Sequence, residues 1–116
     1  KTFDIRIQEA EAVSGWSQVD LSGFLDAHTV REFDERMAKL VNDGQTHIAL
    51  GLQNLNYISS AGVASLMGLM QKLRAASGSL AIVHPSDKVF HVLKTLGFTN
   101  IFQIVNDVNE LKPVIR

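Results

Sequence analysis

Leu52-Gln53-Asn54-Leu55-Asn56-Tyr57-Ile58-Ser59-Ser60-Ala61-Gly62-Val63 carries an apolar strand pattern into two hydroxyls and a glycine, and a helical pattern starts at once. A strand that runs straight into a helix is the unit from which parallel sheets are built. The same junction sets a serine at a helix N-terminus, where backbone N–H groups and the helix dipole favour negative charge. Two readings of Ser60 follow: a site for a phosphate, or a cap on the helix worth about 1 kcal/mol. Gly62 lowers helix propensity in the first turn, which points to a need for close backbone approach.

Upstream, His47 to Leu52 is nearly continuously apolar, as expected of a central strand covered on both faces. Before it, Phe3 to Ile7 alternates apolar and polar residues, and Ser17 to Ser22 reads as a second strand. A turn near Ser14-Gly15 would make the two a hairpin, Gly23 would end it, and Trp16 would cover its open side. From Asp26 the period becomes helical, with Val30, Phe33, Met37, Leu40 and Val41 on one face. Asp26 is the expected N-cap and Gly44 the expected stop.

Downstream, the helix from Ser60 is expected to bury Val63, Leu66, Met67, Met70 and Leu73 and to stop at Gly78. Leu80 to Val83 repeats the central-strand pattern. Pro85 and Ser86 introduce a third helix with Val89, Phe90, Leu93 and Leu96 inward and Gly97 at its C-terminus. Ile101 to Val105 reads as a last strand. Asp107 and Glu110 form a capping pair for a terminal helix bearing Val108, Leu111 and Val114, which Pro113 shortens. The expected order is β-β-α-β-α-β-α-β-α: one α/β domain over residues 1–116, with a mixed, mostly parallel sheet and about four helices.

Composition narrows the function. Eleven basic residues against twelve acidic ones leave a net charge of −1, and no basic cluster is interleaved with aromatics, so nucleic acid is not an expected direct partner. The chain has no cysteine, which removes disulfides and thiol chemistry and suits a reducing compartment. No apolar run reaches the ~20 residues that cross a bilayer, so no membrane association is expected and the expected location is cytoplasmic.

No enzyme constellation emerges. His28, His47, His84 and His91 lie in separate elements without the i, i+4 spacing of a helical metal site. Neither a nucleophile elbow nor a phosphate-binding glycine loop with its lysine is present. Asp34 and Glu35 read as part of a solvated helical face. No catalysis, cofactor or metal is expected. What remains is Ser59 and Ser60, which in an open parallel sheet emerge at the carboxyl edge where ligands and partners meet such folds. The partner surface expected there comprises Gly23, Phe24, Asp26 and His28 on one loop and Tyr57, Ser59, Ser60, Ala61 and Gly62 on the next, plus the exposed side of the helix after Ser60. Phe24 and Tyr57 are either its aromatic anchors or core residues.

Gly23-Phe24-Leu25-Asp26-Ala27, Leu55 to Val63 and Gly97-Phe98-Thr99-Asn100-Ile101-Phe102 together resemble the STAS domain of bacterial anti-sigma factor antagonists, in the same order and spacing over nearly the whole chain. The resemblance implies a protein that binds a serine-kinase anti-sigma factor and thereby frees a sigma factor, with a phosphatase as the opposing partner. It places the phosphoacceptor on Ser60 first and Ser59 second. Ser59 stands where the family carries an aspartate, so one negative charge beside the acceptor is missing. Asp26 matches an aspartate whose loop lies near the switch serine. STAS-like domains also serve as permanent scaffolds, in lipid transport complexes, stressosomes and the cytoplasmic ends of anion transporters, and there Ser60 would be a helix cap. Oligomeric state is not specified by these residues.

Overall fold

Along the central strand, Ile48, Leu50 and Leu52 point to one side and Ala49 to the other, and all four are fully buried, so both faces of the sheet are covered. The computed structural model, which describes residues 2–115, arranges β1 (Phe3–Ile7), β2 (Ser17–Leu25), α1 (Val30–Asn42), β3 (His47–Ile58), α2 (Ser60–Ala75), β4 (Ser79–Val83), α3 (Asp87–Thr95) and β5 (Gln103–Val105) in chain order. A single 3-10 turn, Val108–Glu110, follows. The sheet order is β1-β2-β3-β4-β5, with β1 antiparallel to β2 and every other pair parallel.

The helices pack on one face. Phe33 and Met37 of α1, Leu66, Met70 and Leu73 of α2, and Val89 and Leu93 of α3 join Val19, Leu21, Ile48, Leu50, Leu80 and Ile82 in one core. The opposite face has a smaller cluster of Val13, Trp16, Ala49, Ala81 and Leu111. Small Ala49 and Ala81 leave room there for the indole of Trp16, whose Nε1 donates to the Lys112 carbonyl at 2.8 Å. The β1–β2 connection and the C-terminal segment therefore act as the second layer that helices supply in many parallel sheets.

Several local expectations are corrected. Gly23 does not end the second strand; it sits inside β2 at φ +88°, and a Cβ there would overlap the Thr2 carbonyl. Asp26 does not cap α1, whose N-cap is Thr29. Phe90 and Leu96, expected inward, are 40% and 48% exposed. The terminal helix is only the 3-10 turn, with the Asp107–Glu110 capping box present, so the described residues form three α-helices rather than about four. Beyond it the chain is drawn out by its layer of contacts, Leu111 burying its side chain and Val114 N–H donating to the Ser14 carbonyl at 2.9 Å.

Candidate functional site

β3 is longer than its neighbour: only His47 to Gly51 pair with β4, while β2 follows it to Ile58. Along the overhang Leu52, Leu55 and Ile58 are buried at a spacing of three, which fits neither a plain strand nor a helix. Two register shifts against β2, between Asp20 and Ser22 and between Gly23 and Phe24, explain the spacing. Each inserts one extra residue on β3 and returns the next aliphatic side chain to the core. The open side of the overhang is taken by α3. Ser86 donates its N–H to the Leu52 carbonyl at 3.1 Å and its hydroxyl to the Leu55 carbonyl at 2.6 Å, while its Oγ also accepts from Val89 N–H as the N-cap of α3. One residue thus starts α3 and fastens it beside the end of β3.

At that end the two serines divide their duties. Ser59 is the N-cap of α2: its Oγ accepts from the Gly62 N–H at 3.2 Å and its own N–H donates to the Leu25 carbonyl at 3.0 Å. Ser60 is the first helical residue, exposed, with no side-chain hydrogen bond to any described residue. Of the first four N–H groups of α2, those of Ser60 and Ala61 are the pair left without an intrahelical acceptor, and no acidic side chain lies in the first turn. The cap reading therefore belongs to Ser59, and the Ser60 hydroxyl holds nothing in place. Ser59→Ala is expected to lower stability by about 1 kcal/mol, and Ser60→Ala to leave it within about 0.5 kcal/mol, in denaturant titrations. Equal losses would contradict this division.

Gly62 is buried, and a Cβ on it would come within 2.6 Å of the Leu25 carbonyl oxygen and 2.7 Å of Ile58 Cγ1. Its close approach is to the ends of β2 and β3, so it fixes how tightly the helix seats and offers no surface to a partner. Ala61 beside it is partly buried.

Phe24 and Tyr57 are paired across the β2–β3 register and lie outside the core, 42% and 50% exposed. Their rings meet edge to face, centroids 6.3 Å apart at 81°. Asp26 and His28 belong to the turn that follows: Asp26 Oδ1 accepts from His28 N–H at 2.9 Å, Thr29 Oγ1 accepts from Asp26 N–H at 2.9 Å and donates to the Phe24 carbonyl at 2.9 Å. This turn replaces the cap expected of Asp26. It holds the loop beside Phe24 and leaves the His28 side chain exposed. The structure thus brings Phe24, Asp26, His28, Tyr57, Ser59 and Ser60 to one edge, with Gly23 and Gly62 behind them as backbone fittings.

Sequence reasoning missed the contribution of α3. His91, Val92, Thr95 and Leu96 line a cleft of about 320 Å³ with Tyr57, Ile58, Ser59 and Ser60. A second cleft of about 430 Å³ runs along α2 from Ser60 past Met67 and Gly68 to Leu96 and Phe98. Leu96 sits between them. The signal existed in the chain: Gly97 (φ +80°) donates to the Lys94 carbonyl and Phe98 to the Leu93 carbonyl, a Schellman ending in which Leu96 is the cap residue and turns outward. Among the described residues no group of His, Asp or Glu side chains could hold a metal ion, and no helix is long and apolar enough to cross a membrane.

Residues 5–111 match the sequence model of the STAS domain. The chain belongs to the STAS domain family. Among curated relatives of this STAS domain, the anti-sigma-B factor antagonist of Staphylococcus aureus is 27% identical over 95 residues, spanning 82% of this chain and 87% of that one. Among solved structures, an anti-sigma factor antagonist from Mycobacterium paratuberculosis superimposes with a TM-score of 0.80 at 18% identity, covering 93% of this chain and 89% of the other. The Bacillus cell fate determinant SpoIIAA in its phosphorylated form superimposes with a TM-score of 0.67 at 23% identity, covering 90% and 95%. The fold of the STAS domain described above is the fold these proteins share.

Proposed function

We propose that this STAS domain is an anti-sigma factor antagonist that binds a serine-kinase anti-sigma factor through the Phe24–Tyr57 edge and is released when Ser60 is phosphorylated. The observation that carries the proposal is the split between the two serines: Ser59 caps the helix, while Ser60 stands exposed one residue later with its hydroxyl unengaged. A modification on Ser60 therefore costs the fold no hydrogen bond. The names of the relatives supply the class of partner, and the Bacillus neighbour is a STAS-fold protein described in a phosphorylated form.

The chemistry belongs to the partner. The kinase passes the γ-phosphoryl group of a nucleoside triphosphate to Ser60 Oγ, the hydroxyl proton goes to the kinase's base, and the nucleoside diphosphate leaves. This chain presents the acceptor and is not itself an enzyme; a phosphatase reverses the step by hydrolysis, in the cytoplasm. Ser59 in place of the family's aspartate fits this reading, since serine and aspartate cap helices about equally well and only the charge beside the acceptor is lost.

Phosphopeptide mass spectrometry of the untagged protein from its own cells, scored separately at Ser59 and Ser60, tests the proposal. Phosphate on Ser60 that disappears in a Ser60→Ala strain is the expected result. Its absence across growth and stress conditions would instead assign the domain to a permanent scaffold.

A further inference from the structure

The cleft between the start of α2 and α3 is lined by two polar residues, Ser60 and His91, whose side chains have no hydrogen-bond partner among the described residues. Ser60 lines this cleft from α2 and His91 lines it from α3. His91 is exposed and makes no hydrogen bond, ion pair or ring contact with any described residue. It shares its stripe of α3 with Thr95, one turn on, and with Val92 and Leu96, all of which face the same cleft. α3 cannot drift from this position, because Ser86 ties its first turn to the Leu52 and Leu55 carbonyls of β3.

We propose that His91 is the internal receptor for a phosphate on Ser60, donating a ring N–H to a phosphoryl oxygen across the mouth of the cleft. The inference rests on the reading of Ser60 as the phosphoacceptor. A phosphoserine brings a charge of about −1.5 to −2 and three strong acceptors, and a charge-assisted bond from an imidazolium is the stronger kind of hydrogen bond open to it. The neighbouring charges permit the contact. On α3 itself Asp87 lies one turn before His91 and repels an anion, while Lys88 and Lys94 flank His91 and favour it. β3 contributes Tyr57 and Ile58 to this cleft, of which Tyr57 is titratable, and the first turn of α2 has no acidic side chain to repel a phosphate. The contact also gives the switch a direction. A phosphate drawn toward His91 lies over the cleft beside Tyr57 and Leu96, so it screens the apolar surface that a partner would use.

The test installs phosphoserine at position 60 during synthesis of the full chain, so it needs no kinase and is independent of whether cells phosphorylate Ser60. The 31P resonance is followed through the second phosphate ionisation in the wild-type background and in His91→Gln and His91→Lys. A cation beside the phosphate favours the dianion, so the wild-type midpoint is expected roughly half a unit below that of His91→Gln, with His91→Lys at or below the wild-type value. Melting of the unmodified proteins, expected to be equal because His91 is exposed, shows that the variants are folded. Coincident 31P titrations in wild type and His91→Gln would overturn the inference. The separate failure of the functional reading would be a Ser60 never phosphorylated in cells, with the 31P difference still present.

Discussion

Ser60→Asp is expected to melt at or slightly above the wild-type temperature, within about 4 °C, because an acidic residue in the first turn of a helix contributes about 0.3–1 kcal/mol. The same substitution is expected to weaken binding of the serine-kinase anti-sigma factor about 100-fold, roughly 3 kcal/mol. Both effects come from the position of one side chain. Ser60 is exposed at the start of α2 and its hydroxyl holds nothing in place, so the fold accepts a carboxylate there. A partner seated against Phe24, Tyr57 and the adjoining cleft would have to strip water from that carboxylate. Titration calorimetry with the purified kinase, beside Ser60→Ala as the control, measures the loss. Tight binding by a well-folded Ser60→Asp protein would contradict the switch and favour a constitutive interface.

Gly62→Val is expected to destabilise the domain by about 3 kcal/mol, lowering the melting temperature by more than about 10 °C. The cause is steric: the added Cβ would press on the Leu25 carbonyl oxygen at 2.6 Å and on Ile58 Cγ1 at 2.7 Å, and neither the end of β2 nor the buried Ile58 can withdraw without opening the core. The Leu25 carbonyl also receives the Ser59 N–H, so the clash falls on the bond that seats the helix cap. A β-branched residue adds a smaller helix-propensity cost. Gly68→Ala is the matched control, since it lies in the same helix, nothing lies within 4 Å of its Cβ position, and it should be neutral or stabilising. Equal melting of the two variants would remove the close approach as the reason for Gly62.

The two substitutions also separate what was legible in the sequence from what was not. The strand-to-helix junction, the two central strands and the Asp107–Glu110 box were all readable, because each is set by interactions within a few residues. The burial pattern of Leu52, Leu55 and Ile58 was not, since it depends on shifts in pairing with a strand some thirty residues earlier. Helical period alone placed Leu96 inside, whereas the Schellman ending turns it out. Phe24 and Tyr57 could have been core or surface by composition; cross-strand pairing at the sheet's end left both exposed.

The amino-acid sequence by itself determined the order of strands and helices, the STAS resemblance and the place of the serine pair, because local periodicity and capping preferences act along the chain. Only the tertiary structure decided which serine is structural and which is free, why Gly62 must be glycine, and that His91 and Leu96 of α3 share a cleft with Ser60. Those outcomes turn on carbonyls and side chains that folding delivers from distant segments: Leu25 to Ser59 and Gly62, and Leu52 and Leu55 to Ser86. A hydrogen bond or a steric limit made across such distances leaves no periodic trace in the residues that make it.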